Sequence, residues 1–593
     1  MNFRCKTTTA ANAFALAGAI SVCLLAGGAE RSWPFITIRQ TGGLLNHPEV
    51  LEKLVAINGR HPGSCDEIWL NFPSWKSRAY NERELPKLAR LADILRAHGI
   101  KVGYQQGVAI GHRGGKFTDP AKEGWPFPDD AWEIGLDGER IPFLCPRSPA
   151  AWEWQEYYTK AVIDAAGVES FWLDDDMRMA EWRPDGCFCE RCLKAFNAEF
   201  GHSVGRKELV SRLKEGDGPD TIRRDWFRFC ERSLAIYSAA VRRGADASRP
   251  DCRLGIQTCL SLELCAGSGY GEILKSFSGT NGWTVGIRPG SGCYTDWTPR
   301  YWCGKWYAVA FECERLRRSG IPVESFAYEM ETYPRLVLRK SAEAILKECV
   351  GALASGCDAL TLYFYDHNTP EPLEYYDEFA QYVSEWRPYM EKLAEISRRT
   401  KLGGVAIYRG ENAEAMKEHN LGHKLVCELV WIGVPLTVAE AAPDAYIIGR
   451  GTEAEMTAAD RANEKYRRAV KDRNLGLEPC TQHRKELLNA LDAAAPDRMC
   501  VRIDKTCRVA AFPRIASDGR TLAVTFINGS VGREAGVRVR IRRPAAGKLV
   551  WLHPTDRPTE IQSVPGKGDE ILVTLPAMPG WDVGTLLFSG EGL

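Results

Sequence analysis

The feature that most constrains this chain is an alternation. From about Phe35 to Tyr365, short apolar or β-branched runs recur, each followed by a polar break and a segment with apolar residues at helical spacing. The runs are Phe35–Arg39, Glu67–Asn71, Lys101–Gln105, Ser170–Asp174, Arg253–Thr258, Trp283–Ile287, Pro322–Tyr328 and Ala359–Tyr365. Between them lie amphipathic segments such as Leu85–Ala97 and Leu338–Ala354, stopped by Gly99 and Gly356. Eight strands alternating with helices fit an α/β fold of the (β/α)8, or TIM-barrel, type with enlarged loops. A doubly wound open sheet is the rival. The count of eight and the polar clusters at strand C-termini favour the barrel.

The barrel is expected over residues 30–398, closed by the helical stretch Tyr375–Arg399. Gly403–Tyr408 and Ala445–Ile448 open a smaller α/β, flavodoxin-like domain over 399–497. After Met499 the texture becomes alternating and β-branched, with Gly and Pro turns, in Thr521–Phe526, Gly536–Ile541, Leu549–Leu552 and Glu570–Leu575. That pattern predicts a β-sandwich domain over 498–593.

Lysine plus arginine equals aspartate plus glutamate at 77 each, so the basic excess of a nucleic-acid binder is missing and no nucleic-acid partner is expected. The N-terminus carries Arg4 and Lys6, a small apolar stretch from Ala10 to Ala26, and then Gly27 and Ala29. This is the pattern of a signal peptide over residues 1–29, and it predicts a secreted or periplasmic protein. No later stretch is apolar enough to span a bilayer, so no stable membrane insertion is expected once the signal is removed.

Carboxylates crowd two strand ends. The fourth run ends in Asp174, Asp175 and Asp176, and the seventh is followed by Glu329 and Glu331. Side chains alternate along a strand, which puts Asp174 and Asp176 on one face and pairs Glu329 with Glu331. Strands four and seven lie nearly opposite in an eight-stranded barrel, so one carboxyl from each can flank a glycosidic bond. A solvated loop start or a calcium site is the plainer alternative for the aspartates, and ion pairing with Arg335 for the glutamates. Weaker pocket candidates are Arg39 and Gln40, Gln105 and Gln106, Asp296 and Trp297, and Tyr363, Tyr365, Asp366 and His367.

Most of the 20 cysteines are scattered, but Cys187, Cys189 and Cys192 form a C-x-C-x-x-C cluster. Such thiols can converge on a tetrahedral ion, with Cys145 as the best-placed fourth ligand; a pair of disulfides is the alternative. A closed four-cysteine zinc site would be structural rather than catalytic.

Four places resemble the β-galactosidases of glycoside hydrolase family 42. They are Leu144–Trp152, Gly186–Phe196, Met330–Glu331–Thr332 with Pro334, and Ala352–Tyr365. The resemblance spans about Phe35–Glu395 and implies a retaining barrel glycosidase acting on a β-linked glycoside, β-galactosides among them. It implies Glu331 as nucleophile, Asp176 as general acid/base, and Asp175 as the counterpart of the asparagine that touches the sugar. Arg39, Asp174, Trp297, Glu329 and Tyr363 would bind substrate. It also implies structural zinc on Cys145, Cys187, Cys189 and Cys192, and a homo-trimer. The chain departs from the family where Asn-Glu is replaced by Asp175–Asp176, so it resembles a diverged relative. The alternatives are an α-fucosidase-like barrel whose nucleophile is a strand-four aspartate, and a catalytically lapsed carbohydrate-binding barrel.

Overall fold

The computed structural model describes residues 33, 35–39, 43–111, 124–179, 186–215, 221–258, 270–290, 292–297, 302–366, 368, 371–408, 427, 429–438, 447–448, 481–494 and 496–590. The expected signal segment lies outside them, as do Gln40, His367, Ala445 and Tyr446. Eight parallel strands close into a barrel: β1 (Phe35–Arg39), β2 (Glu67–Asn71), β3 (Lys101–Gln106), β4 (Ser170–Leu173), β5 (Arg253–Gln257), β6 (Val285–Arg288), β7 (Val323–Glu331) and β8 (Ala359–Tyr363). Closure is direct: β1 pairs with both β2 and β8. Helices follow each strand, namely α1 (Pro48–Arg60), α2 (Arg78–Ala97), α3 (Pro149–Ala166), α4 (Thr221–Asp246), α5 (Gly271–Ser278), α6 (Trp302–Arg318), α7 (Ala342–Ser355) and α8 (Glu374–Arg399). Among the described residues no helix is long and apolar enough to cross a membrane.

Strands buried on both faces read as near-continuous apolar runs, which is why the sequence pattern found them. The interior is set by two tryptophans. Trp69 on β2 and Trp172 on β4 sit with ring centroids 4.6 Å apart, although β3 lies between their strands, so the rings meet inside the barrel over β3. Gly103, Gly255 and Gly286 make room for them: a Cβ there would fall 2.2, 2.3 and 2.4 Å from an indole carbon. Those three positions therefore face inward. By the two-residue period, Gln105, Asp174, Gln257 and Arg288 face the same interior one layer nearer the C-terminal mouth. Glu67, Ser170 and Arg253 form the layer below the indoles. There Glu67 accepts the Thr37 hydroxyl (3.0 Å), the Trp69 N–H (2.7 Å) and the Ser170 hydroxyl (2.7 Å), with Arg253 at 3.6 Å.

Several strand ends shift from expectation by a residue or more, and two of the shifts bear on the carboxylates. β4 stops at Leu173, because the carboxylate of Asp174 captures the N–H of Asp175 (2.9 Å) and turns the chain. β7 continues through Glu331, so both glutamates lie within the strand rather than after it.

Beyond the barrel, Val405–Tyr408 lies between Leu436–Val438 and Ile447–Ile448 in a parallel three-stranded sheet. A six-stranded and a four-stranded sheet follow, both with antiparallel pairings. Val524, Phe526 and Leu586 of the larger share one apolar core with Val501, Val539 and Val573 of the smaller, which makes the pair a sandwich. The six-stranded sheet also takes in Lys401–Leu402, directly after α8. Trp306 and Tyr307 of α6 pack on Phe512 of that sheet, so the outer layer of the barrel is continuous with it.

Candidate active site at the barrel mouth

The inward residues of the uppermost layer form a polar ring. Arg39, at the end of β1, donates from Nε to Gln105 Oε1 (3.0 Å), and Gln105 Nε2 donates to Asp174 Oδ2 (2.8 Å). Arg39 Nη1 is 3.3 Å from Glu329 Oε1, and its Nη2 is 3.7 Å from Asp174 Oδ2. Arg288, at the end of β6, pairs with the same Glu329 oxygen and lies 3.9 Å from Asp174 Oδ1. Two guanidiniums thus share two carboxylates, all of them buried or nearly so. Close approach of the β6 rim makes this possible, since a Cβ on Gly290 would fall 2.2 Å from a Glu329 oxygen.

The electrostatics follow from that sharing. Burial first, and then repulsion from Arg39, pull Arg288 down to about 10, against the opposing pull of Asp174, Asp175 and Glu331. For Arg39, burial is the largest influence and works against its charge, but Asp174, Glu331, Tyr363 and Asp175 together outweigh it and raise the group. Asp175 and Glu331 are therefore within coulombic reach of both guanidiniums.

Glu331 sits two residues beyond Glu329 on the same face of β7, and its carboxylate is half-buried, 3.9 Å from Arg335 Nη1. Arg335 has φ of 66°, an uncommon conformation for a residue with a Cβ. Its guanidinium pairs with Asp366 (3.2 Å) and lies 4.5 Å from the centroid of the Tyr363 ring. Arg39 lies 4.9 Å from the same ring, and the Tyr363 hydroxyl donates to Asp366 (3.1 Å).

The three aspartates go separate ways. Asp174 is held in the ring, and Asp175 is half-buried beside it. Asp176 is fully buried, its Oδ2 accepting the backbone N–H groups of Ala109 (2.6 Å), Ile110 (3.1 Å) and Gly111 (3.0 Å). That corrects the placement expected for Asp176. Strand alternation ends with β4 at Leu173, so Asp176 does not share the face of Asp174; it ties the segment after β3 to the segment after β4. Trp297 also stands outside the ring. It is 69% exposed on the segment after β6, with the Arg339 guanidinium 5.5 Å from its ring centroid.

Arg39, Asp174, Glu329, Glu331 and Tyr363 are brought together as the sequence suggested. Arg288 and Gln257 were missed. Extending the sixth run by one residue beyond Ile287 reaches Arg288, and the inward parity of Gly286 and Gly255 marks both.

The four cysteines converge. Their sulfurs all lie within 4.8 Å of one another, with Cys145 Sγ 3.5 Å from Cys192 and 4.0 Å from Cys189. These separations exceed an S–S bond of about 2 Å, and all four are free thiols. Four sulfurs at about 2.3 Å from a tetrahedral zinc stand roughly 3.8 Å apart, so the donor set fits a metal ion. Cys145 is placed by its N–H bond to Ala131 (2.8 Å), and Cys189 caps the helix Glu190–Phe200 by accepting the Cys192 N–H (3.4 Å). Hydrogen bonds from the other three thiols hold Cys189 well below the usual thiol range, whereas burial pushes Cys187 up.

No family model matches the chain, and no curated protein matches its sequence. Among solved structures it is similar to a β-galactosidase from Rahnella sp. R3 (TM-score 0.61, 12% identity, covering 94% of this chain and 98% of that one). It is similar as well to a GH42 β-galactosidase from G. stearothermophilus (TM-score 0.57, 11% identity, 93% and 98%). A third is α-L-fucosidase isoenzyme 2 from Paenibacillus thiaminolyticus (TM-score 0.57, 9% identity, 94% and 100%). Over nearly the whole length of each, what this chain shares with these proteins is their fold.

Proposed function

We propose that the protein is a glycoside hydrolase that cleaves a β-linked glycoside with retention, Glu331 serving as nucleophile and Asp175 as general acid/base. One observation carries the assignment. Of the acids on the β4 and β7 rims, Asp174 and Glu329 are bound into the arginine ring and Asp176 into a backbone nest, which leaves Asp175 and Glu331 half-buried. Asp175 would protonate the leaving oxygen as Glu331 attacks the anomeric carbon. The glycosyl–Glu331 ester would then be hydrolysed by a water that Asp175 deprotonates. Asp175 thus takes over the role first expected of Asp176. Arg39, Arg288 and Gln105 hold the ring rigid beneath the sugar, and Tyr363 offers it an aromatic face.

Structural neighbours that include β-galactosidases and an α-L-fucosidase support carbohydrate as the substrate class. Cys145, Cys187, Cys189 and Cys192 would hold zinc. The ion would neutralise the clustered thiolates and pin the loop after β4; it would take no part in bond cleavage. The basic, small-residue N-terminus supports export. The fucosidase likeness favours a second reading, in which Asp175 is itself the nucleophile. Asp174, the other candidate, is already held by Gln105 and two arginines.

A mechanism-based fluoroglycoside followed by peptide mapping separates the readings. A label on Glu331 supports the first and a label on Asp175 the second. Absence of labelling across a broad sugar panel means that the barrel binds carbohydrate without cleaving it.

A further inference from the structure

Beside the ring stands a group of aromatic side chains that catalysis at a single sugar would not use. Tyr333 follows Glu331 by two residues and is 55% exposed; Tyr294 is 41% exposed and Trp297 69%. Large apolar groups held open next to a catalytic mouth are a cost unless something covers them. Tyr294 and Tyr333 form a tilted pair with centroids 5.9 Å apart. A chain of contacts joins that pair to the ring, because the Arg335 guanidinium lies 5.1 Å from the Tyr333 centroid and 4.5 Å from that of Tyr363.

The shelf is exposed, yet its base is fixed. Asp296 N–H donates to Arg339 O (3.1 Å), and Asp296 Oδ2 accepts the Ser341 N–H (3.2 Å). Beneath it runs a buried clamp. Lys340 Nζ donates to Cys293 O (2.7 Å) and pairs with Glu348. Lys305 donates to the other Glu348 oxygen (3.0 Å) and to Glu329 O (2.7 Å). One carboxylate therefore ties the segment bearing Tyr294 and Trp297 to the strand bearing Glu331. Gly292 lets the Tyr294 ring come close against the backbone, since a Cβ there would fall 2.1 Å from it. Rigid, exposed aromatic faces at low ordering cost suit the flat apolar face of a sugar ring.

We infer that Tyr294, Tyr333 and Trp297 form a further sugar subsite beside the arginine ring, and that the substrate class is a β-linked oligosaccharide rather than a simple monoglycoside. The inference rests on the proposed function for its location. It is tested by binding, which does not require turnover. Calorimetry on the full-length Glu331→Gln protein would use tri- and tetrasaccharides of β-linked glucose, galactose and xylose, with the matching monosaccharides as controls. At least one oligosaccharide should bind, and Trp297→Ala or Tyr333→Ala should weaken it by about tenfold, with Tyr333→Phe restoring most of the loss. Binding that ignores both alanine substitutions overturns the inference. So does failure of every oligosaccharide to bind, or a change of oligomeric state in Trp297→Ala with binding untouched, which would make the shelf an interface between copies. Shelf-dependent binding in a wild-type protein that hydrolyses nothing would instead sink the hydrolase reading and leave the subsite standing.

Discussion

The two ends of one barrel handle buried charge differently. At the N-terminal end, Glu67 is enclosed by hydroxyl, indole and guanidinium donors, and Arg253 has a second partner in Glu324 at 2.6 Å. At the mouth, Arg39 and Arg288 share Asp174 and Glu329, while Asp175 and Glu331 stay half-buried nearby. Gln257 is buried there with no hydrogen-bond partner for either end of its amide among the described residues. A closed network stabilises the fold, and an open one leaves groups for a ligand to satisfy.

The largest expected effect falls on the open end. Glu331→Gln should lower hydrolysis of an activated aryl glycoside by about 10³-fold or more, and Asp175→Asn by about 10² or more. Both should shift the unfolding free energy by less than about 1 kcal/mol, because neither side chain anchors a network. Equal losses of stability and activity would erase the contrast between the two ends. The closed end should answer in reverse. Glu67→Ala strands three donors and removes one of two partners from Arg253, so denaturant unfolding should show a loss of about 3 kcal/mol, with turnover per folded molecule little changed.

The same contrast explains what was legible in the sequence. The barrel strands are apolar by necessity, so their positions could be read from pattern alone. The ring residues at Arg39, Asp174 and Glu329 end or continue such runs and could be read with them. Asp176 was misplaced because alternation holds only while a strand lasts, and the hydrogen bond that the Asp174 carboxylate accepts from the Asp175 N–H ends β4 early. The Lys305–Glu348–Lys340 clamp was invisible, because its members come from two helices and the turn before the second, 43 and 8 residues apart, and each reads as ordinary helix surface in the sequence. The thiol cluster was legible, since three of its members share one short segment.

Asp176 sharpens the comparison at closer range, being one residue from an open carboxylate yet part of a closed nest. Asp176→Ala leaves three buried N–H groups without their acceptor and should cost about 1–3 kcal/mol in denaturant unfolding. Asp176→Asn keeps an acceptor and should cost less. Either should reduce hydrolysis far less than Asp175→Asn; the opposite ranking would return the acid/base role to Asp176. The cysteine site offers a closed network of another kind. A chelator that strips bound metal should lower the melting temperature by several degrees, and added zinc should restore it. Metal analysis that finds no bound ion in the native protein would break that expectation.

The smallest effect lies outside the barrel strands, in the sandwich. His553 Nε2 is 3.1 Å from Asp582 and Nδ1 3.2 Å from Asp556. Burial would lower the imidazole, but the Asp582 hydrogen bond and the two carboxylate charges outweigh it and raise the group above its ordinary 6.5. The folded protein therefore binds the proton more tightly than the unfolded chain does. The stabilisation is fully present below about pH 6.5 and fades as pH rises through the folded value. Partial exposure limits it to less than about 1 kcal/mol. Unfolding curves of wild type and His553→Gln should thus differ most near pH 6 and converge by about pH 9. A gap that widens with pH would mean that the neutral ring, accepting rather than donating, is what the sandwich holds in place.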